Sequence, residues 1–89
     1  MRKLLVTHRT VPLDRSEEYA AAWQQLAAAA ALRAAQAWRF CRAGHQDRFV
    51  EFLEWRGPVA LLEDPELADA LRALDDIAAG TVEALEEAR

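Results

Sequence analysis

The sequence predicts an α+β domain in which two helices cover one face of an antiparallel sheet. Three stretches carry that prediction: a strand apolar on both faces, an alanine-rich helix, and a second helix with a clear start. The strand is Arg48-Phe49-Val50-Glu51-Phe52-Leu53-Glu54-Trp55-Arg56. Read with period two, Phe49, Glu51, Leu53 and Trp55 share one face, and Val50, Phe52 and Glu54 the other. Both faces ask for cover. In a chain of 89 residues an antiparallel strand rarely finds two covers within its own protomer. Helices are therefore expected on one side and a second copy of the chain on the other.

Lys3 to Val11 alternates as a first strand. Leu4, Val6, His8 and Thr10 lie on one face and Leu5, Thr7, Arg9 and Val11 on the other, and Pro12 ends it because it cannot donate to a ladder. Asp14-Arg15-Ser16-Glu17 reads as a helix start with Asp14 as N-cap, or Ser16 in its place. The helix is expected to run to about Gln36, with Tyr19, Trp23, Leu26, Ala30 and Ala34 on one stripe. Its small side chains allow a close approach to a sheet.

Ala37 to Ala43 is the second strand, and Gly44-His45-Gln46-Asp47 the turn before the third. A two- or four-residue loop sets Trp38 opposite Leu53, Phe40 opposite Glu51 and Arg42 opposite Phe49. Trp38, Phe40, Phe49, Leu53 and Trp55 would then surround Glu51. Ala37, Cys41, Val50 and Phe52 would face the alanine-rich helix. A three- or five-residue loop would break this correspondence.

Gly57-Pro58 stops the third strand, and a short apolar segment, Val59 to Leu62, follows. Asp64-Pro65-Glu66-Leu67 places Asp at the N-cap, Pro at the first helical position and an acid in the first turn. Leu67, Leu71, Leu74, Ile77 and Ala78 form the apolar stripe of this second helix, with Gly80 as its expected cap. Thr81 to Arg89 suits a short helix by propensity. Topology favours a strand there, because βαββα lacks one element of a ferredoxin-like unit. The reading leans to the strand, in a single domain spanning residues 1–89.

Composition narrows the function classes. The formal net charge is -4 and no basic stripe interleaves with aromatics, so nucleic acid is not an expected partner. The N-terminal apolar run is too short for a signal peptide or a membrane span. Cys41 is the only cysteine, which fits a reducing cytoplasm and leaves no disulfide within one chain to stabilise a small core. Dimerisation is the expected source of further buried area.

The order of elements, together with Phe49 to Trp55, the Asp64-Pro65-Glu66-Leu67 helix start and the terminal Gly80-Thr81-Val82-Glu83, resembles the dimeric α+β barrel superfamily. Within it the chain is similar to small proteins of the antibiotic-biosynthesis-monooxygenase type. The resemblance implies two ferredoxin-like protomers with sheets face to face, and a pocket between sheet and helices or at the barrel mouth. Activities in that family include cofactor-independent oxygenation of aromatic polyketides, haem degradation and quinol chemistry. The haem-degrading set of Asn, Trp and His fails here, because the chain has no asparagine.

Glu51 is the most informative polar residue. Among aromatic side chains its carboxyl would be desolvated, as a general base requires. Pairing with Arg42, Arg9, His8 or an arginine of a second subunit is the favoured account, because buried charges are normally paired. His8 could relay a proton or sit as a hydrogen-bonded histidine at the sheet margin; His45 belongs to a turn. Trp38, Phe40, Phe49, Leu53 and Trp55 are the candidate ligand contacts, although for Trp38 and Trp55 a dimer interface is the favoured reading, and both could hold in one barrel. Cys41 is expected to be buried against the helices as a small hydrophobe. Cys41, His8 and His45 lack metal-ligand spacing, so no metal is expected. Ser16, the only serine, gives no triad, and three scattered glycines give no phosphate loop, so no cofactor is expected either.

The expected function is a homodimer that binds a small apolar or aromatic ligand. The alternatives are a cofactor-independent monooxygenase using Glu51 and His8, and an interaction module docking through its acidic helices.

Overall fold

The computed structural model describes residues 1–57 and 60–88; Pro58, Val59 and Arg89 lie outside them, and with them the expected strand stop at Pro58. The elements run β1 (Arg2–Thr10), α1 (Ser16–Ala31), β2 (Gln36–Cys41), β3 (Arg48–Arg56), α2 (Pro65–Ile77) and β4 (Gly80–Glu86). Short 3₁₀ turns at Leu13–Arg15 and Leu61–Glu63 lead into the two helices. The sheet is antiparallel with order β2-β3-β1-β4. This is a complete ferredoxin-like βαββαβ unit, with Thr81 to Glu86 in the fourth strand. Pairing against β1 decided that segment over its helical propensity.

The helices pack on one face of the sheet. Tyr19, Trp23, Leu26 and Ala30 from α1 meet Leu67, Ala70, Leu74 and Ile77 from α2 in one core with Leu5, Leu53 and Trp55 from the strands. Burying leucines such as Leu26, Leu67 and Leu74 contributes about 1.5–3 kcal/mol each. Their spacing of three, four and seven residues is why these segments are amphipathic helices.

Asp64 caps α2, accepting bonds from the Glu66 and Leu67 amides at 3.0 and 3.1 Å. It also meets Arg33 in an ion pair at 2.8 Å, which ties the end of α1 to the start of α2. The Arg33 pairing and the two amides hold the Asp64 carboxyl below its ordinary range.

Four local expectations are corrected. The first concerns the start of α1, where neither Asp14 nor Ser16 caps the helix. The Ser16 hydroxyl instead donates to the Leu13 carbonyl at 2.9 Å, and the 3₁₀ turn does the work of entry. The second concerns its end, at Ala31 rather than near Gln36. Ala34 takes a left-handed φ of 55°, and the Ala35 and Ala34 amides donate to the Ala30 and Ala31 carbonyls. That is a Schellman closure made without glycine, and so without its sequence signal.

Gly80, the third case, does not cap α2, which ends in the extended Ala78. It opens β4 instead, opposite Arg9, where a Cβ would come within 2.5 Å of Thr7 Cγ2. Only glycine lets the two strands approach there.

The fourth correction is the register of β2 on β3, and it governs everything that follows. Cys41 pairs with Phe49, Phe40 with Val50, Arg39 with Glu51 and Trp38 with Phe52. The Arg42 amide donates to the Arg48 carbonyl at 2.8 Å, which leaves the five residues 43–47 as the connection. An odd loop shifts the register by one and changes which β3 residues share a face with each β2 side chain. Ala37 and Cys41 keep the helix side expected of them, with Arg39, but it is Phe49, Glu51, Leu53 and Trp55 that join them there, in place of Val50 and Phe52. Trp38, Phe40, Val50 and Phe52 lie on the face without helices.

Candidate functional site

The helix face of the sheet holds a closed polar cluster. Arg9 Nε donates to both Glu51 carboxylate oxygens at 2.9 Å, and the Tyr19 hydroxyl donates to Glu51 Oε2 at 2.6 Å. Arg9 Nη1 continues to Asp75 Oδ1 and to the Ala78 carbonyl, both at 2.7 Å. β1, β3, α1 and the end of α2 each supply a member, so the cluster clamps the helices to the sheet. Arg9 and Glu51 are both 4% exposed, and Tyr19 is fully buried.

The electrostatics follow from this enclosure. Burial raises the Tyr19 phenol well above its ordinary value, and the hydrogen bond to Glu51 adds to the rise. Burial opposes the Arg9 charge, but hydrogen bonds to Asp75 and Glu51 outweigh it and the guanidinium is held more firmly protonated. Beside Glu51 lies a void of about 10 Å³ lined by Leu5, Thr7, Trp23 and Leu71 among others. That is room for at most one water.

Arg39 sits next to this cluster on β2, its guanidinium 5.0 Å from the Tyr19 ring centre, 5.8 Å from Trp23 and 5.3 Å from Phe49. The cation over aromatic faces closes the edge of the core. Arg9 was one of several candidate partners for Glu51 in the sequence. The parts played by Tyr19, Asp75 and Arg39 were not legible there. The one available signal was Tyr19 itself, a residue on an apolar stripe with a polar tip to satisfy.

The face without helices is the opposite kind of surface. Trp38 stacks on Phe52 at 5.5 Å and 12°, and Phe40 meets Phe52 edge-on at 5.8 Å. Phe40 is 59% exposed. The five candidate ligand contacts are thus not brought together: Trp38 and Phe40 lie on this open face, Phe49, Leu53 and Trp55 against the helices. His8 is exposed on the open face opposite Val50, whereas Glu51 lies on the other, so the two candidate catalytic residues do not meet. Cys41 is exposed rather than buried, because β2 is an edge strand and Cys41 its last residue; its thiol donates to the His45 carbonyl at 2.8 Å. Among the described residues no group of three His, Cys, Asp or Glu is placed to hold a metal ion, and no helix is long and apolar enough to cross a membrane.

No family model and no curated protein matches the sequence. Solved structures do. SnoaB, a cofactor-independent oxygenase from Streptomyces nogalater, superposes with a TM-score of 0.81 at 15% identity, over 99% of this chain and 94% of that one. A conserved protein of unknown function from Bacteroides thetaiotaomicron gives 0.82 at 16% identity, over 97% of each chain. An antibiotic biosynthesis monooxygenase gives 0.75 at 12% identity over the whole of both chains. The chain has the antibiotic-biosynthesis-monooxygenase fold. At these identities the likeness is one of fold, and it agrees with the resemblance to dimeric α+β barrels carried by Phe49 to Trp55 and the Asp64 helix start. Within that fold, the space between sheet and helices is filled by the apolar core and by the Arg9–Glu51–Tyr19 cluster.

Proposed function

We propose that the protein acts as a homodimer in which two copies close their open sheet faces on one another and hold a small apolar or aromatic ligand. Trp38, Phe40 and Phe52 would be its walls. The observation that carries this reading is the open face itself, with Phe40 exposed and Trp38 and Phe52 half-buried beside it. Contiguous apolar surface of this kind marks a contact or ligand site. A 10.0 kDa domain also gains most from added burial, and aromatic residues are enriched where subunits meet. In this reading Phe49, Leu53 and Trp55 support β3 from behind. A lone cysteine, Cys41, fits a reducing compartment such as the cytoplasm.

The alternative is cofactor-independent oxygenation of an aromatic substrate, with Glu51 as base and His8 as relay. The fold shared with the Streptomyces oxygenase supports it. It requires Glu51 to exchange Arg9 and Tyr19 for substrate, and the substrate to enter a space now filled.

Native mass spectrometry of the protein as purified tests both. A dimer carrying a small-molecule mass supports the first reading, and a monomer overturns it. Oxygen uptake with a hydroquinone-type substrate, lost in Glu51→Gln with the fold intact, would establish the second.

A further inference from the structure

At one end of the open face, beyond the aromatic band, the surface changes character. Arg42 and Arg48 stand directly across from one another at the last bond of the β2–β3 pair. Thr10 follows opposite Arg48 on β1. In the next row His8 lies between Val50 and Thr81. These residues, with Arg9, Phe49, Val50 and Ala79, line a cleft of about 340 Å³.

Two features of this cleft call for an occupant. Like charges directly opposite one another on an antiparallel pair destabilise it. Yet neither Arg42 nor Arg48 forms an ion pair among the described residues, and the lining contains no carboxylate. The chain as a whole is acidic at -4, so a purely basic cleft is not a reflection of composition. Arg9, the other arginine in the lining, is already satisfied by Glu51 and Asp75.

We propose that this cleft binds the oxyanion, a carboxylate or phosphate, of a small aromatic or apolar molecule. Each guanidinium presents a planar fork of donors that fits an oxyanion with two hydrogen bonds. Thr10 and Thr81 hydroxyls and the His8 ring add donors around it. Phe40 and Val50, in the row next to the arginines, receive the apolar part. The cleft volume is that of a small-ligand site. The ligand of the proposed dimer is thereby specified as an anionic one. The apolar part of this inference rests on the ligand reading above; capture of the anion does not require the dimer.

The test is calorimetric titration of the full chain with benzoate, phenyl phosphate, inorganic phosphate and neutral benzamide, alongside native mass spectrometry. Saturable binding of benzoate or phenyl phosphate is expected, at least tenfold tighter than benzamide and than inorganic phosphate, and weakening as salt is added. The aromatic anion that binds more tightly identifies the headgroup. Arg42→Gln and Arg48→Gln, both exposed positions, should each weaken that binding at least tenfold with the dimer mass unchanged. Benzamide binding as tightly as benzoate would overturn the proposal. So would anion binding indifferent to both substitutions, or substitutions that dissociate the dimer without altering anion binding, which would assign the arginines to carboxylates of the second copy. A monomer that still binds the aromatic anions would overturn the homodimer alone.

Discussion

The two faces of this sheet reverse the usual arrangement. The face covered by helices buries a charged pair and a phenol, while the face left uncovered carries Trp38, Phe40, Val50 and Phe52. In a soluble domain of one sheet and two helices the uncovered side is ordinarily the polar one. The difference teaches what each side is for. The covered side is self-sufficient: Arg9 and Glu51 have partners from other elements, and Arg39 lies over aromatic rings. The uncovered side is incomplete, and an explanation of the protein has to supply what completes it.

The largest expected effect is on the covered side. Arg9→Met leaves Glu51 buried with only the Tyr19 hydroxyl, and strands the Ala78 carbonyl. Breaking such a pair by removing one partner costs about 3–5 kcal/mol. Denaturant unfolding at fixed protein concentration would read this as a fall in the midpoint. Replacing the cluster as a whole, with Arg9→Met, Glu51→Leu and Tyr19→Phe together, should return most of that loss, because an apolar cluster carries no desolvation penalty. If the triple variant is no more stable than the single one, the cluster is not the structural clamp described above.

A smaller effect in the free energy of the protomer, but a larger one on assembly, is expected from the uncovered side. Phe40→Glu alters a side chain already in contact with water, so the protomer's own stability should change by no more than about 0.5 kcal/mol. Two like charges placed in a face-to-face contact should weaken the dimer about a hundredfold or more. Sedimentation equilibrium would show the shift. An unchanged association constant would move the contact off this face, and with it the proposed ligand enclosure.

The same contrast explains what was legible in the sequence. The period-two pattern of Phe49 to Trp55 disclosed a strand apolar on both faces, and the Asp64-Pro65 signal disclosed α2, because each is written in local chemistry. The pairing of faces was not, because it turns on the parity of a loop, and one residue more between Ala43 and Asp47 changes which side of β2 shares a face with Glu51. The end of α1 was hidden for a related reason: Ala34 adopts a conformation that glycine normally announces. Glu51 stood out as a carboxyl among aromatics. Its partners Arg9 and Tyr19 lie 42 and 32 residues away, and only the assembled sheet and helix bring them to it.

The finest distinction between the faces is one of pH. Tyr19 has its phenol pKa raised in the folded chain by burial and by the bond to Glu51. A group of this kind contributes stability that is complete below its unfolded value, near 10.0, and is lost as pH rises toward the folded one. The protein should therefore unfold more readily above pH ~10 as its unfolded chain gives up the tyrosine proton. Tyr19 is the chain's only tyrosine, so no other phenol contributes. Tyr19→Phe should cost about 1.5–3 kcal/mol at neutral pH, the range for a hydrogen bond to a charged group. It should also flatten the tyrosine-linked part of the alkaline decline. Chemical denaturation from pH 7 to pH 11 separates the two consequences. A variant that loses stability at neutral pH yet keeps the full decline would mean that the phenol is hydrated in solution. The cluster would then be open to water, and the filled space on the covered side, on which the whole contrast depends, would be accessible after all.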